Sequence, residues 1–107
     1  MSREWVVLTR DRPDLTDLPA LLGDDLTAEA GCVFDTGDRL LVRLTAPVLV
    51  PVPGETERLL GISFACPAWW TEIRSAAGID AAEKAARRCA DGLAQRHSGT
   101  VWSGGAP

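Results

Sequence analysis

The stretch Gly78–Trp102, GIDAAEKAARRCADGLAQRHSGTVW, decides the fold. Asp80 followed by Glu83 opens it like a capping box, in which side chains satisfy the first free backbone N–H groups of a helix. Ala82, Ala86, Cys89, Leu93 and His97 then recur at helical spacing as one apolar stripe. Glu83 with Arg87, and Arg87 with Asp91, are spaced i, i+4 for ion pairing on the other side. Gly99 stands at the C-terminal end, and Thr100-Val101-Trp102 has the β-branched and aromatic composition of a short strand. Because the helix is rich in alanine, it can approach a sheet closely. A helix of this kind running straight into a strand points to helices layered on a sheet.

The rest of the chain supplies the other strands. Glu4–Arg10 alternates with Trp5, Val7 and Thr9 on one face and Val6 and Leu8 on the other; both faces are apolar, which predicts a central strand. Gly31–Phe34 and Arg39–Leu44 read as a hairpin around Asp35-Thr36-Gly37-Asp38, with Gly37 available for a positive φ and Arg39, Leu41 and Arg43 facing outward or across the mouth of a site. Pro47-Val-Leu-Val-Pro-Val-Pro53 lacks too many ladder donors for an interior strand and predicts an edge strand or an extended crossing. Gly54–Arg58 reads as a polar turn, and Leu59–Ala65 as a further strand.

Two more helices are expected. One starts near Leu18, with Asp17 as N-cap and Pro19 in the first turn, and breaks near Gly23. The other opens at Pro67, carries Trp69 or Trp70, Ile73 and Ala76 or Ala77 inward, and stops at Gly78. The resulting order predicts an α+β fold of ferredoxin-like type, a two-layer sandwich with a mostly antiparallel sheet and helices on one face. Residues 1–102 form a single domain in this reading, and 103–107 a frayed C-terminal tail.

The chain has 107 residues, 46% hydrophobic, with a formal charge of −4. No apolar run approaches the ~20 residues that span a bilayer. Ten Arg against one Lys is the composition a GC-rich bacterial genome writes and carries no functional weight. The acidic balance argues against nucleic-acid binding, which needs a cationic stripe to displace counterions. Eight acids and only Arg12 lie between Asp11 and Asp38, so this segment is an acidic face suited to steering a basic partner. Three widely spaced cysteines, Cys32, Cys66 and Cys89, fit free thiols in a reducing cytoplasm better than a disulfide framework. The opening residues show no cleavable leader pattern, and a cytoplasmic protein is expected.

Chemistry-bearing residues are sparse. Cys66 ahead of a helix start would feel the positive end of the helix dipole, which favours thiolate. His97, the sole histidine, is far from it in sequence. The set Cys32, Cys66, Cys89 and His97 lacks the closely spaced ligand pairs of structural zinc, so no metal is expected, and no motif calls for a cofactor. Trp69 and Trp70, ~100° apart on a helix, cannot both enter one core, which leaves one for a partner contact. The reading that follows is a non-enzymatic interaction domain, an accessory subunit, adaptor or docking inhibitor. It uses Trp69 and Trp70 together with the acidic face at Asp24 and Asp25, and a homodimer is a subsidiary expectation. The alternative is an anionic-ligand-binding or enzymatic domain in which Arg39, Arg43 or Arg74 grips the anion, with Cys66 or His97 at the chemistry.

Overall fold

The sheet is built around its first strand, β1 (Arg3–Thr9). The computed structural model describes residues 3–104. After β1 come a 3-10 turn at Leu15–Asp17, then α1 (Leu18–Leu21), β2 (Thr27–Glu29), β3 (Cys32–Phe34), β4 (Leu40–Leu44) and β5 (Val48–Val50). The second half adds α2 (Glu55–Leu60), β6 (Ala68–Ser75), α3 (Asp80–Arg96) and β7 (Gly99–Gly104). The fold is α+β, with three α-helices and one seven-stranded sheet among the described residues. Strand order is β2-β3-β4-β6-β1-β7, and β5 pairs with β6 beyond the end of β4. Every pairing is antiparallel. β6 and β7 therefore run parallel to each other on either side of β1, connected by α3.

β1 is central, as its two apolar faces require. Trp5 and Val7 enter the main core together with Leu18, Val33, Val42, Leu44, Ile73 and the α3 residues Ala82, Ala85, Ala86, Cys89, Ala90 and Leu93. The alanine stripe brings α3 down onto β1, β4, β6 and β7. α1 packs beside it at Gly92, where an added Cβ would come 2.7 Å from Leu21 Cδ2. Ile79 rather than Asp80 is the N-cap of α3, with no side-chain cap bond, so the capping box does not form. Glu83 instead reaches Arg3 at 3.6 Å.

The hairpin β3–β4 forms as its sequence predicts, with two refinements. Asp38, at φ 59, takes the left-handed position in place of Gly37. Asp35 Oδ1 accepts the N–H groups of Gly37 and Arg39, both at 2.9 Å, and holds the turn. The register also slips: Val33 faces Val42 but Phe34 faces Leu40, so Leu41 is the extra residue of a bulge. The bulge turns Leu41 into the core beside Val42, whereas simple alternation put it outside.

Other expectations need correction. Residues 68–75 form strand β6, not a helix, so Cys66 precedes a strand and no helix dipole acts on it. Leu59–Ala65 is no strand; Glu55–Leu60 is the short helix α2, which opens at Gly54, closes at Gly61 and carries an Arg58–Glu55 ion pair at 2.6 Å. The first helix ends at Leu21, and Thr27–Glu29 forms the unforeseen strand β2. Ser103 and Gly104, read as tail, extend β7 opposite Trp5 and Glu4, while 105–107 lie outside the described residues. The proline-bounded segment does form an edge strand, β5. No described helix is long and apolar enough to cross a membrane.

Candidate functional site

The pairing registers define the two faces of the sheet. Trp5, Val7, Thr71 and Ile73 point toward α3, so Val6, Leu8, Trp70, Glu72 and Arg74 point away from it. On β7, Trp102 lies opposite Val6 and Thr100 opposite Leu8, which places both on the same far face. β5 adds Val48 beside Trp70. Across the far face, one row reads Val48, Trp70, Leu8, Thr100, and the next Glu72, Val6, Trp102.

Val6 and Leu8 are 1% and 0% exposed on this face, while Trp70 and Trp102 flank them half-buried and Val48 is 58% exposed. The two indoles stand on either side of β1, separated by two strand spacings, roughly 10 Å, and by about 7 Å along the strands. Gly104, two residues after Trp102 on the same face, leaves room for that ring, because a Cβ there would overlap it. The third row is polar: Arg43 faces Arg74, and Arg74 faces Glu4, with Arg74 Nη2 at 3.4 Å from Glu4 Oε2. Arg74 thus pairs with Glu4 at the margin of an aromatic surface, with Arg43 beside it on the next strand.

Trp69 and Trp70 separate onto opposite faces, since neighbours on a strand alternate. Trp69 lies on the α3 side, opposite Thr9 and Leu49, with the Arg12 guanidinium 5.4 Å from its ring centroid. Asp24 and Asp25 are exposed in the turn between α1 and β2, and Asp25 and Arg88 both crowd Gly23. The structure therefore does not bring these aspartates together with the Trp pair. Trp102 joins Trp70 instead. The signal for it was present: with β1 central, period-two alternation in Thr100–Gly104 sends Val101 and Trp102 to opposite faces.

The candidate ligand residues are likewise dispersed. Arg39 is engaged by Asp35 within its turn: the backbone N–H of Arg39 first, then that of Gly37 and the Arg39 guanidinium at 3.0 Å, hold the Asp35 carboxyl below its usual pKa. Arg43 and Arg74 line a hollow of about 160 Å³ with Leu40, Leu41 and Ser75, small beside ordinary ligand pockets. Cys66 sits beyond the opposite end of β6, and the strand from Ala68 to Arg74 alone spans about 20 Å. Its Sγ lies 3.8 Å from the Phe64 carbonyl. His97 is the C-cap of α3: its N–H bonds the Leu93 carbonyl at 3.0 Å, and its own carbonyl accepts from Arg10 and Asp11. Its Nε2 is buried without a hydrogen-bond partner among the described residues.

Larger clefts lie in the acidic segment. One of about 470 Å³ is lined by Arg12, Asp14, Thr16 and Pro47, and one of about 370 Å³ by Leu15, Leu18, Pro19, Ala28 and Glu29. Neither is lined by a cysteine or a histidine. No group of three or more His, Cys, Asp or Glu side chains positioned for a metal occurs among the described residues.

The thiols offer one direct check on the core. Burial pushes the Cys89 thiol up from 9.0 to about 11. A thiol that holds its proton more tightly folded than unfolded stabilises the fold below pH 9, and that contribution disappears as pH rises through 11. The two units correspond to about 2–3 kcal/mol lost over this window. Iodoacetamide at pH 7.5 should leave Cys89 unmodified until urea unfolds the chain, as peptide mass mapping would read. Rapid labelling of Cys89 in the native protein would contradict its place under α3.

No family model, curated protein or solved structure matches this chain.

Proposed function

We propose that this chain is a non-enzymatic docking domain that binds a partner protein on the sheet face opposite α3. The observation that carries this reading is the placement of half-buried Trp70 and Trp102 on one face, astride buried Val6 and Leu8. Partly exposed tryptophans over a rigid apolar floor, with a charged margin, have the anatomy of an interface hot spot. Strand backbones hold these rings in register, so little side-chain freedom is lost on binding. The acidic stretch between Asp11 and Asp38, with Asp24 and Asp25 exposed, acts at longer range by steering a basic partner. Free cysteines support a reducing, cytoplasmic setting.

The finer fold reading is ferredoxin-like. It is supported by the antiparallel order β7-β1-β6-β4, with α3 connecting β6 to β7 and α1 placed between β1 and β4. β2, β3 and β5 are additions to that plan.

The docking reading is tested by parallel affinity capture with wild type, Trp70→Ala and Trp69→Ala, each confirmed as folded by circular dichroism. Trp70→Ala should weaken the captured partner by about 2 kcal/mol or more, some thirtyfold. Trp69→Ala, on the other face, should retain it. A partner held equally by Trp70→Ala and wild type would refute the assignment. A second reading rests on Arg43 standing beside Arg74, which pairs with Glu4 on its other side: a small carboxylate or phosphate held at that margin.

A further inference from the structure

We propose that a second copy of this chain pairs with the free edge of β7, antiparallel and strand to strand, so that two sheets become one across a twofold axis. β7 bonds to β1 on one side and has no strand on the other among the described residues. The remaining edges are blunted. β5 is three residues long between Pro47 and Pro51. β2 is also three residues, carries Glu29 and ends at Ala30 with φ 52. β7 is six residues, Gly-Thr-Val-Trp-Ser-Gly, with neither proline nor charge. Short length, proline and charge are the usual devices that keep edges from pairing, and β7 has none of them.

The strand's own chemistry selects a second copy as the occupant. Twofold antiparallel pairing sets each residue against itself or against a residue an even number of positions away. A charged strand would therefore meet its own charge, at a cost, whereas β7 meets none. Val101 on the α3 face and Trp102 on the far face are both half-buried, so self-pairing covers one apolar side chain on each face at once. Centred on Trp102, the two indoles lie opposite each other; centred on Val101, Trp102 lies opposite Thr100. The ionised groups nearest the edge on β1 are already neutralised, Arg3 by Glu83 at 3.6 Å and Glu4 by Arg74 at 3.4 Å. This pairing borders the docking face at Trp102 but does not use Trp70, so the two readings separate at Trp70.

Sedimentation velocity at up to roughly 100 μM, enough to populate any micromolar dimer, should show about twice the 11.4 kDa chain mass. Thr100→Lys/Ser103→Lys alters two exposed positions; it should keep its circular dichroism spectrum and sediment as a monomer. Val48→Lys, on β5, and Trp70→Ala should remain dimeric. Amide exchange should slow in β7 of wild type relative to the double lysine variant. A wild-type chain that stays monomeric throughout, a dimeric double lysine variant, or a dimer dissolved by Val48→Lys or Trp70→Ala would overturn the proposal.

Discussion

Trp5→Ala should lose about 3–5 kcal/mol of stability, the usual range for emptying a large aromatic site in a core. Trp5 is 2% exposed, stands between Ile73 and Ser103 on its neighbouring strands, and faces the alanine stripe of α3. Alanines cannot swing in to refill the space. Strand hydrogen bonds on both sides of β1 keep the backbone from closing it. Native domains are stable by only about 5–15 kcal/mol, so the variant should sit near the edge of folding. Urea titration followed by circular dichroism would measure the loss, and a melting temperature lower by more than about 10 °C should accompany it. A loss below about 1 kcal/mol would show that Trp5 does not fill the core in this way.

Gly99→Val should cost about 3 kcal/mol or more, through overpacking where neither partner can yield. Gly99 starts β7 opposite Thr9, and a Cβ there would overlap the Leu8 carbonyl and lie 2.7 Å from Thr9 Cγ2. Leu8 belongs to the central strand, bonded on both sides, so the strain falls on β7. The start of β7 should lift from β1, visible as fast amide exchange at Val7–Thr9. Gly37→Ala, in an exposed turn where the added Cβ meets only Asp35 Oδ1 at 3.4 Å, should change stability by about 0.5 kcal/mol or less. Equal melting temperatures for Gly99→Val and wild type would refute the close approach of β7 to β1.

Legibility of the fold in the sequence followed local strength of pattern. Glu4–Arg10, the hairpin at Gly31–Leu44 and the long last helix carry periods that agree with their tertiary setting. Residues 68–75 do not, because β6 has its two faces in different use. Trp69, Thr71, Ile73 and Ser75 point to α3, and Ala68, Trp70, Glu72 and Arg74 away, so polar and apolar residues mix on each face. Pro67 and the spacing of Trp69 or Trp70 to Ile73 then imitate a helix start. Only the partners β1, β4 and β5, brought from far along the chain, decide it. The site suffered from the same ambiguity. Trp70 was legible as an awkward aromatic, but its companion Trp102 emerges only once β1 is known to lie between them. Leu41 was hidden for another reason, since a bulge shifts the alternation by one residue and leaves no mark in composition.

The two ends of the described chain lie side by side, with Glu4 opposite Gly104 on adjacent antiparallel strands. Tension applied through those ends pulls β1 and β7 apart crosswise and loads the first rung of the ladder before the second. The bonds open in succession, like a zipper, whereas strands drawn past each other lengthwise share the load. A protein held at both ends would thus peel from this corner at low force, even though Trp5 and α3 anchor its core.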